Sequence, residues 1–270
     1  MSGAVPSAFR RRLRAGETVI GSFVNLGSPL TTEIMGIAGF DWLVLDLEHG
    51  AGNEVALLGQ LQALSASGAA AIVRVEGIDL PRFMHALDLG ADGVLVPRLR
   101  SVEDAQRCAE YCRYAGLRGV AKYNRSWHWG LGARTLADAD GEVVCAIQIE
   151  TREALEAVGG IAAVDGVDVL FVGPADLAHS LGLHCPPDDP ALIERAAAVA
   201  DAARAHGKAA GVLVGTIEQL RAYHEVGFTF LGCNSDGGLL VAGASALVGD
   251  LDRLRRARGV VEAVPAESAS

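Results

Sequence analysis

The stretch from Gly166 to Gly182 reads GVDVLFVGPADLAHSLG. It opens with a short apolar run, Val169–Val172, passes through a Gly-Pro turn and enters a helical stretch with Asp176 in its first turn. A short buried strand followed by a helix is the repeating unit of a parallel sheet with helical crossovers. Working outward, seven more runs have the same character: Val19–Asn25, Trp42–Asp46, Ala70–Val75, Gly93–Val96, Val143–Ile149, Ala209–Val214 and Phe228–Leu231. Helical stretches separate them, among them Pro29–Ala38, Val55–Ser67, Val102–Tyr111 and Pro190–His206, with Gly68 and Gly207 as stops. Eight such units in 270 residues predict an α/β protein, a closed (β/α)8 TIM barrel, because one barrel takes about 250 residues. An open doubly wound sheet rarely repeats so regularly. A single domain over residues 1–270 is expected, ordered from about residue 10 to 257, with a last helix over Leu239–Arg256 and a frayed Ala, Glu and Ser tail.

Composition agrees and excludes several classes. Half of the residues are apolar and only 5% aromatic, which suits short strands under Ala-rich helices. The formal charge of −10 argues against nucleic acid as a partner, since phosphate binding needs a basic face. The basic clusters, Arg10, Arg11, Arg12 and Arg14 at one end and Arg253, Arg255, Arg256 and Arg258 at the other, read as solvated helix faces. Five cysteines without paired CxxC spacing predict no disulfide framework and fit a reducing cytoplasm; Cys108 and Cys112, one helical turn apart, read as small buried hydrophobes. No apolar stretch reaches the roughly 18 residues of a membrane span, and the N-terminus has no secretory apolar core, so a cytoplasmic protein is expected.

In such a barrel the active site lies where the strands end, so each strand can be asked what it delivers there. The second ends in Asp46, Glu48 and His49, the third in Arg74, the fourth in Pro97 and Arg98, the fifth in Gln148 and Glu150, the sixth in Gly173, Pro174 and Asp176. Any one of these charges could be an ordinary solubility edge. Acids, a His and an Arg converging on one rim are also what binds a divalent cation together with an anionic substrate. Glu150 and Asp176 suit a hard cation such as Mg²⁺ or Mn²⁺, although one His beside two acids leaves a catalytic zinc open. Taken alone, Asp176 reads more simply as a helix cap than as a ligand. His179, His184 and Cys185 read as a second metal cluster or, more simply, as a polar loop. The connection from Gly116 to Glu142 carries RGVAKYNRSWHWG and reads as a lid, a subunit contact or a surface loop.

Together the segments GFDWLVLDLEHG, AIVRV, LDLGADGVLVPRL, QIETREALE and GVDVLFVGPADLAHSLG resemble the HpcH/HpaI aldolase and citrate lyase family, in particular its metal-dependent class II pyruvate aldolases. The resemblance runs from about Val19 to Gly249. It implies a barrel of the phosphoenolpyruvate/pyruvate type that forms or cleaves 4-hydroxy-2-oxoacids from pyruvate and an aldehyde. It implies that Glu150 and Asp176 bind a divalent metal (Mg²⁺, Mn²⁺ or Co²⁺) that chelates the ketoacid, and that Arg74 binds the ketone oxygen and developing enolate. His49 and Asp88 would form the dyad that moves protons through a metal-bound water. Gln148 would contact the pyruvate carboxylate together with the backbone of Gly173, Pro174, Ala175 and Asp176. Glu48 and Asp46 would support this inner set, and Phe23 and Leu213 would form apolar walls. A homohexamer with exchanged C-terminal helices is implied as well. Only Lys122 and Lys208 could form a Schiff base, and neither falls at a strand tip.

Two other readings stand beside this one. The same enolate could serve an oxaloacetate-type decarboxylase or an acyl-CoA lyase of the citramalyl- or malyl-CoA kind. Alternatively, the barrel could be a non-catalytic binding subunit.

Overall fold

The computed structural model describes residues 8–257. Its frame is set by strands whose two faces are both apolar. Side chains alternate along a strand, and in β2 (Trp42–Asp46) Trp42 and Val44 turn to the barrel interior while Leu43 and Leu45 turn to the helices. The other strands are β1 (Val19–Val24), β3 (Ala70–Arg74), β4 (Gly93–Val96), β5 (Val144–Ile149), β6 (Val169–Val172), β7 (Ala209–Val214) and β8 (Phe230–Ser235). All pair in parallel in sequence order, and β8 returns to β1, with Val19 opposite Phe230, to close an eight-stranded barrel.

The lumen is packed. Trp42 stacks on Phe230 with ring centroids 4.0 Å apart, and Leu13 of α1 (Ala8–Arg14) belongs to the same apolar cluster. Gly21 makes room for the indole: a Cβ there would lie 2.1 Å from the Trp42 ring. The outer shell comprises α2 (Pro29–Ile37), α3 (Glu54–Leu64), α4 (Leu80–Asp88), α5 (Val102–Cys112), α6 (Leu136–Glu142), α7 (Arg152–Glu156), α8 (Val158–Ala162), α9 (Pro174–Leu181), α10 (Pro190–Ala205) and α11 (Ile217–Glu225). Asn53, Asp79, Ser101, Thr151 and Thr216 cap their helices by accepting from backbone N–H groups, which starts each helix next to a strand end. Cys108 and Cys112 are fully buried under α5, as expected.

Contacts divide the chain into Met1–Asp236, which holds the barrel, and Gly237–Ser270. The last helix, α12 (Asp236–Ala257), replaces the expected Leu239–Arg256; the tail expected to fray and Arg258 lie outside the described residues. No helix among the described residues is long and apolar enough to cross a membrane.

Three expectations are corrected. β8 begins two residues later than the apolar run and continues through Gly232, Cys233, Asn234 and Ser235, because its ladder with β1 and β7 satisfies a polar segment that has no apolar signature. Arg10 is not solvated: it is 4% exposed, and its Nε donates to Asp168 at 2.8 Å. The connection after Gly116 is neither structureless nor a lid over this chain's rim. It joins α5 to β5, so it lies at the face where the strands begin, opposite the strand ends. Arg125 donates there to Leu89 O at 2.9 Å and Leu61 O at 3.2 Å, on the closing turns of α4 and α3. Trp127 is buried and donates to the Tyr114 hydroxyl at 2.8 Å, whereas Tyr123, Trp129 and Leu131 are exposed.

Candidate active site

The alternation that fills the lumen also delivers its upper layer. Counting along the inward-facing positions, β1 ends in Phe23 and then Asn25, β2 in Asp46 and then Glu48, and β3 in Arg74. β5 ends in Gln148 and then Glu150, β6 in Gly173, β7 in Leu213 and β8 in Asn234. Asp46 and Arg74 are register partners on adjacent strands, so their side chains meet on the same face.

Arg74 grips Asp46 in a bidentate pair, Nε to Oδ1 at 2.8 Å and Nη2 to Oδ2 at 2.7 Å. Its Nη1 lies 3.2 Å from Glu48 Oε2, and its guanidinium lies 5.1 Å from the Phe23 ring centre. Asp46 also accepts the backbone N–H groups of Glu48 at 3.0 Å and His49 at 3.2 Å, which fixes the turn that presents His49. Burial alone would raise the Asp46 pKa, but Arg74 and these two N–H groups outweigh it and hold the carboxyl below its ordinary value. The same logic acts on Arg74, where burial opposes the charge and Asp46, Glu48 and Glu150 restore it with a net rise. His49 faces Glu48 at 3.8 Å.

Glu150 is 4% exposed. Its Oε1 accepts the backbone N–H of Arg98 at 2.6 Å, and its Oε2 accepts Gln148 Nε2 at 2.5 Å. Burial pushes its pKa up to about 7 against the Arg98 hydrogen bond, with the charges of Asp176 and Glu48 adding to the rise. Gly173 lies against this carboxylate: a Cβ there would sit 2.8 Å from Glu150 Oε2. Pro174 opens α9, and Asp176 stands in its first turn, exposed; the helix has no side-chain cap, so its leading N–H groups remain available. The cap reading of Asp176 therefore does not hold. A cavity of about 400 Å³ at this rim is lined by Phe23, Asp46, His49, Arg74, Pro174, Ala175 and Leu213, together with Asn25, Pro187, Asn234 and Ser235. A larger cleft, about 790 Å³, lies around Arg10, Arg14 and Arg113, but the rim acids are not among its residues.

Asp88 is not brought to His49. It ends α4, whose closing turn faces the opposite end of the barrel, and it binds Arg118 at 2.8 Å. An acid at a helix C-terminus, unfavourable for the helix dipole, is thus neutralised locally.

Sequence reasoning missed Asn25, Asn234, Ser235 and Asp236. Asp236 Oδ1 accepts the N–H of Asn25 at 2.8 Å and its Oδ2 accepts the Thr31 hydroxyl at 2.7 Å, tying the end of β8 to the end of β1. The signal available was the polar run NSDGG after an apolar run, with Asn234 at φ 61, a conformation Asn tolerates better than most residues. Among the described residues no three His, Cys, Asp or Glu side chains converge as a metal cluster, and His179, His184 and Cys185 form none.

The family model for HpcH/HpaI aldolase/citrate lyase matches residues 19–242. The chain belongs to the HpcH/HpaI aldolase/citrate lyase family. A 5-keto-4-deoxy-D-glucarate aldolase from Salmonella arizonae is 36% identical over 250 residues, covering 92% of this chain and 98% of that protein. The solved HpcH/HpaI family protein from Burkholderia cenocepacia superposes with a TM-score of 0.86 at 31% identity, over 91% of this chain and 99% of the other. A citrate lyase beta subunit from M. tuberculosis, solved with oxaloacetate and magnesium, shares the fold at 19% identity and a TM-score of 0.55, over 85% of this chain and 96% of that one. As an HpcH/HpaI family member with relatives named as aldolases, the chain is an enzyme, a carbon–carbon lyase.

Proposed function

We propose that the chain is a metal-dependent aldolase that forms or cleaves 4-hydroxy-2-oxoacids, using pyruvate or a related 2-oxoacid and an aldehyde. The observation that carries this reading is a fixed guanidinium, Arg74, in one rim with a buried Glu150 and an exposed Asp176. Relatives named as 5-keto-4-deoxy-D-glucarate aldolases support carbon–carbon cleavage of a ketoacid.

Glu150 and Asp176 would hold the divalent cation, Mg²⁺, Mn²⁺ or Co²⁺; two carboxylates leave coordination positions for water and substrate oxygens. The residues present fit such an ion. A carboxyl pushed up by burial, with neighbouring acids adding to the rise, is relieved by a cation, and Gln148 Oε1 is a buried acceptor with no hydrogen-bond partner. When bound, the metal supplies Lewis-acid polarisation of the ketoacid carbonyl, which acidifies the adjacent methyl group.

The chain's own residues do the rest. Arg74, locked by Asp46, offers positive charge where the ketone oxygen becomes an oxyanion, and because its orientation is prepaid little reorganisation is needed as the charge develops. Gln148 and the leading N–H groups of α9, beside Gly173, Pro174 and Ala175, bind the ketoacid carboxylate. Phe23 and Leu213 wall the reacting carbon and exclude water. His49 moves the proton to and from the methyl carbon or the aldol hydroxyl, with Glu48 as its acidic neighbour in the same chain. A His49–Asp88 dyad then requires Asp88 from a second copy of the chain in a homo-oligomer, because within one chain the two lie at opposite barrel ends.

The test is exchange of pyruvate methyl protons in deuterated water with Mg²⁺, Mn²⁺ or Co²⁺ present. Exchange is expected well above the buffer rate, and Glu150→Ala or EDTA should lower it by about a hundredfold or more. A rate equal to buffer with every metal would sink the proposal.

A further inference from the structure

The cleft of about 790 Å³ around Arg10, Arg14 and Arg113 lies where the strands begin, at the opposite end of the barrel from the acids of the rim. Arg10 and Arg14 come from α1, Arg113 follows the last residue of α5, and Gly116 and Gly166 form part of the wall. The side chains of Arg10 and Arg113 are 5% and 13% exposed, whereas that of Arg14 is half exposed.

All three guanidinium groups converge on one buried carboxylate, that of Asp168, just before β6. Arg10 Nε donates to its Oδ1 at 2.8 Å and Arg14 Nη2 lies 3.6 Å from the same oxygen. Arg113 Nη2 lies 3.5 Å from Oδ2, which also accepts the Cys145 N–H at 3.1 Å. One negative charge therefore faces three positive ones with both of its oxygens already committed. Lys208 adds a further cation nearby, donating to Val164 O on the cleft wall. Arg10 registers the imbalance: burial lowers its pKa, Asp168 opposes the fall, and the charges of Arg113 and Arg14 add to it. Three other acids line the cleft without correcting the excess. Asp140 is committed to the N–H groups of Tyr114 at 2.7 Å and Ala115 at 2.9 Å, and Glu110 and Asp165 are exposed, so water screens their charge.

The orphaned donor of Arg113 points to an occupant. Its Nη2 donates to Gly166 O at 3.1 Å, but the buried Nη1 finds no acceptor among the described residues. A buried charged donor is costly to leave unpaired. A single water would satisfy the hydrogen bond and leave the charge excess in place, whereas an anion answers both.

We propose that this cleft is a binding site for a phosphate group, free or carried on a small phosphomonoester, held by Arg113 and Arg14 with Arg10 supplying further positive charge. A phosphomonoester carries about −1.5 to −2 at neutral pH and presents three acceptor oxygens, which suits cations arriving from two helices better than a planar, singly charged carboxylate does. The chain's net charge of −10 repels anions at large, so capture of one requires a local cluster of this kind. The site owes nothing to the chemistry of the rim and stands or falls without it.

Binding is measured by calorimetry and by thermal melts at constant ionic strength without divalent metal. Inorganic phosphate and glycerol 3-phosphate are titrated, with chloride and acetate as controls. Both phosphates are expected to bind saturably and to raise the melting temperature, and the tighter of the two identifies the source. Arg113→Met and Arg14→Glu should each weaken binding by about tenfold or more. No saturable binding, equally tight binding of acetate, or binding that both variants retain unchanged overturns the proposal. If Arg113→Met does not fold, Arg14→Glu decides alone, because the Arg14 side chain is half in solvent and its replacement leaves the buried Arg10–Asp168 pair intact.

Discussion

At the scale of single residues, the rim is a set of buried charges that are tolerable only as a network. Asp46 is 3% exposed at its side chain and Arg74 11%, so either alone would carry a desolvation penalty that its partner removes. The sequence shows both as charged strand tips; it cannot show that they are register partners, since that depends on which strands are adjacent. A pH dependence follows from Asp46. Its folded-state pKa is lowered, so its contribution to stability is present above the ordinary carboxylate range and is lost as the pH falls through the folded value. Asp46→Asn is expected to cost about 3 kcal/mol near neutral pH. Thermal melts of the two proteins should converge as the medium is acidified below about pH 4. A constant gap across that range would show that Asp46 acts through packing and not through its charge.

At the scale of elements, strand parity does most of the positioning. Every second residue of β5 faces the lumen, from Val144 and Ala146 to Gln148, and the next step delivers Glu150 just beyond the strand. The end of each apolar run was legible, which places Gln148, Glu150 and Arg74 at the rim from the sequence; the parity was not, because both faces of the strands are apolar. The β6–α9 junction was legible only in part: the Gly-Pro turn marks a helix start, but the reason for the glycine is the neighbouring strand. Gly173→Ala would push a methyl group into Glu150, with only 2.8 Å available. Pyruvate exchange should fall about a hundredfold, the scale expected for misplacing a reacting group by about an ångström, while the melting temperature changes little. Retained exchange in a folded Gly173→Ala protein would mean that Glu150 does not need its present position. β8 was misread at its rim end because polar strand residues resemble loop in a single sequence, and at its start because Phe228 is apolar and buried without belonging to the strand.

At the scale of the whole molecule, chain direction decides which face each residue occupies. A helix that follows a strand returns the chain to the opposite end of the barrel, so Asp88 at the close of α4 and the aromatic loop after α5 lie away from His49. Chains carrying His49→Ala and chains carrying Asp88→Ala should each lose exchange by about a hundredfold if the dyad operates. Mixed and reassembled, they should recover part of it, because some sites would then contain one intact copy of each residue. No recovery from two folded variants in a mixed assembly would dismiss the dyad. By itself the sequence determined the eight strand–helix units and the acids and Arg at their ends, because apolar runs and helix signals are local and repeat along the chain. Only the tertiary structure decided that Asp46 clamps Arg74, that Arg98 turns its backbone onto Glu150 and that Asp88 serves Arg118. Those facts depend on strand adjacency, backbone conformation and which end of the barrel a segment reaches, none of which is written in local residue spacing.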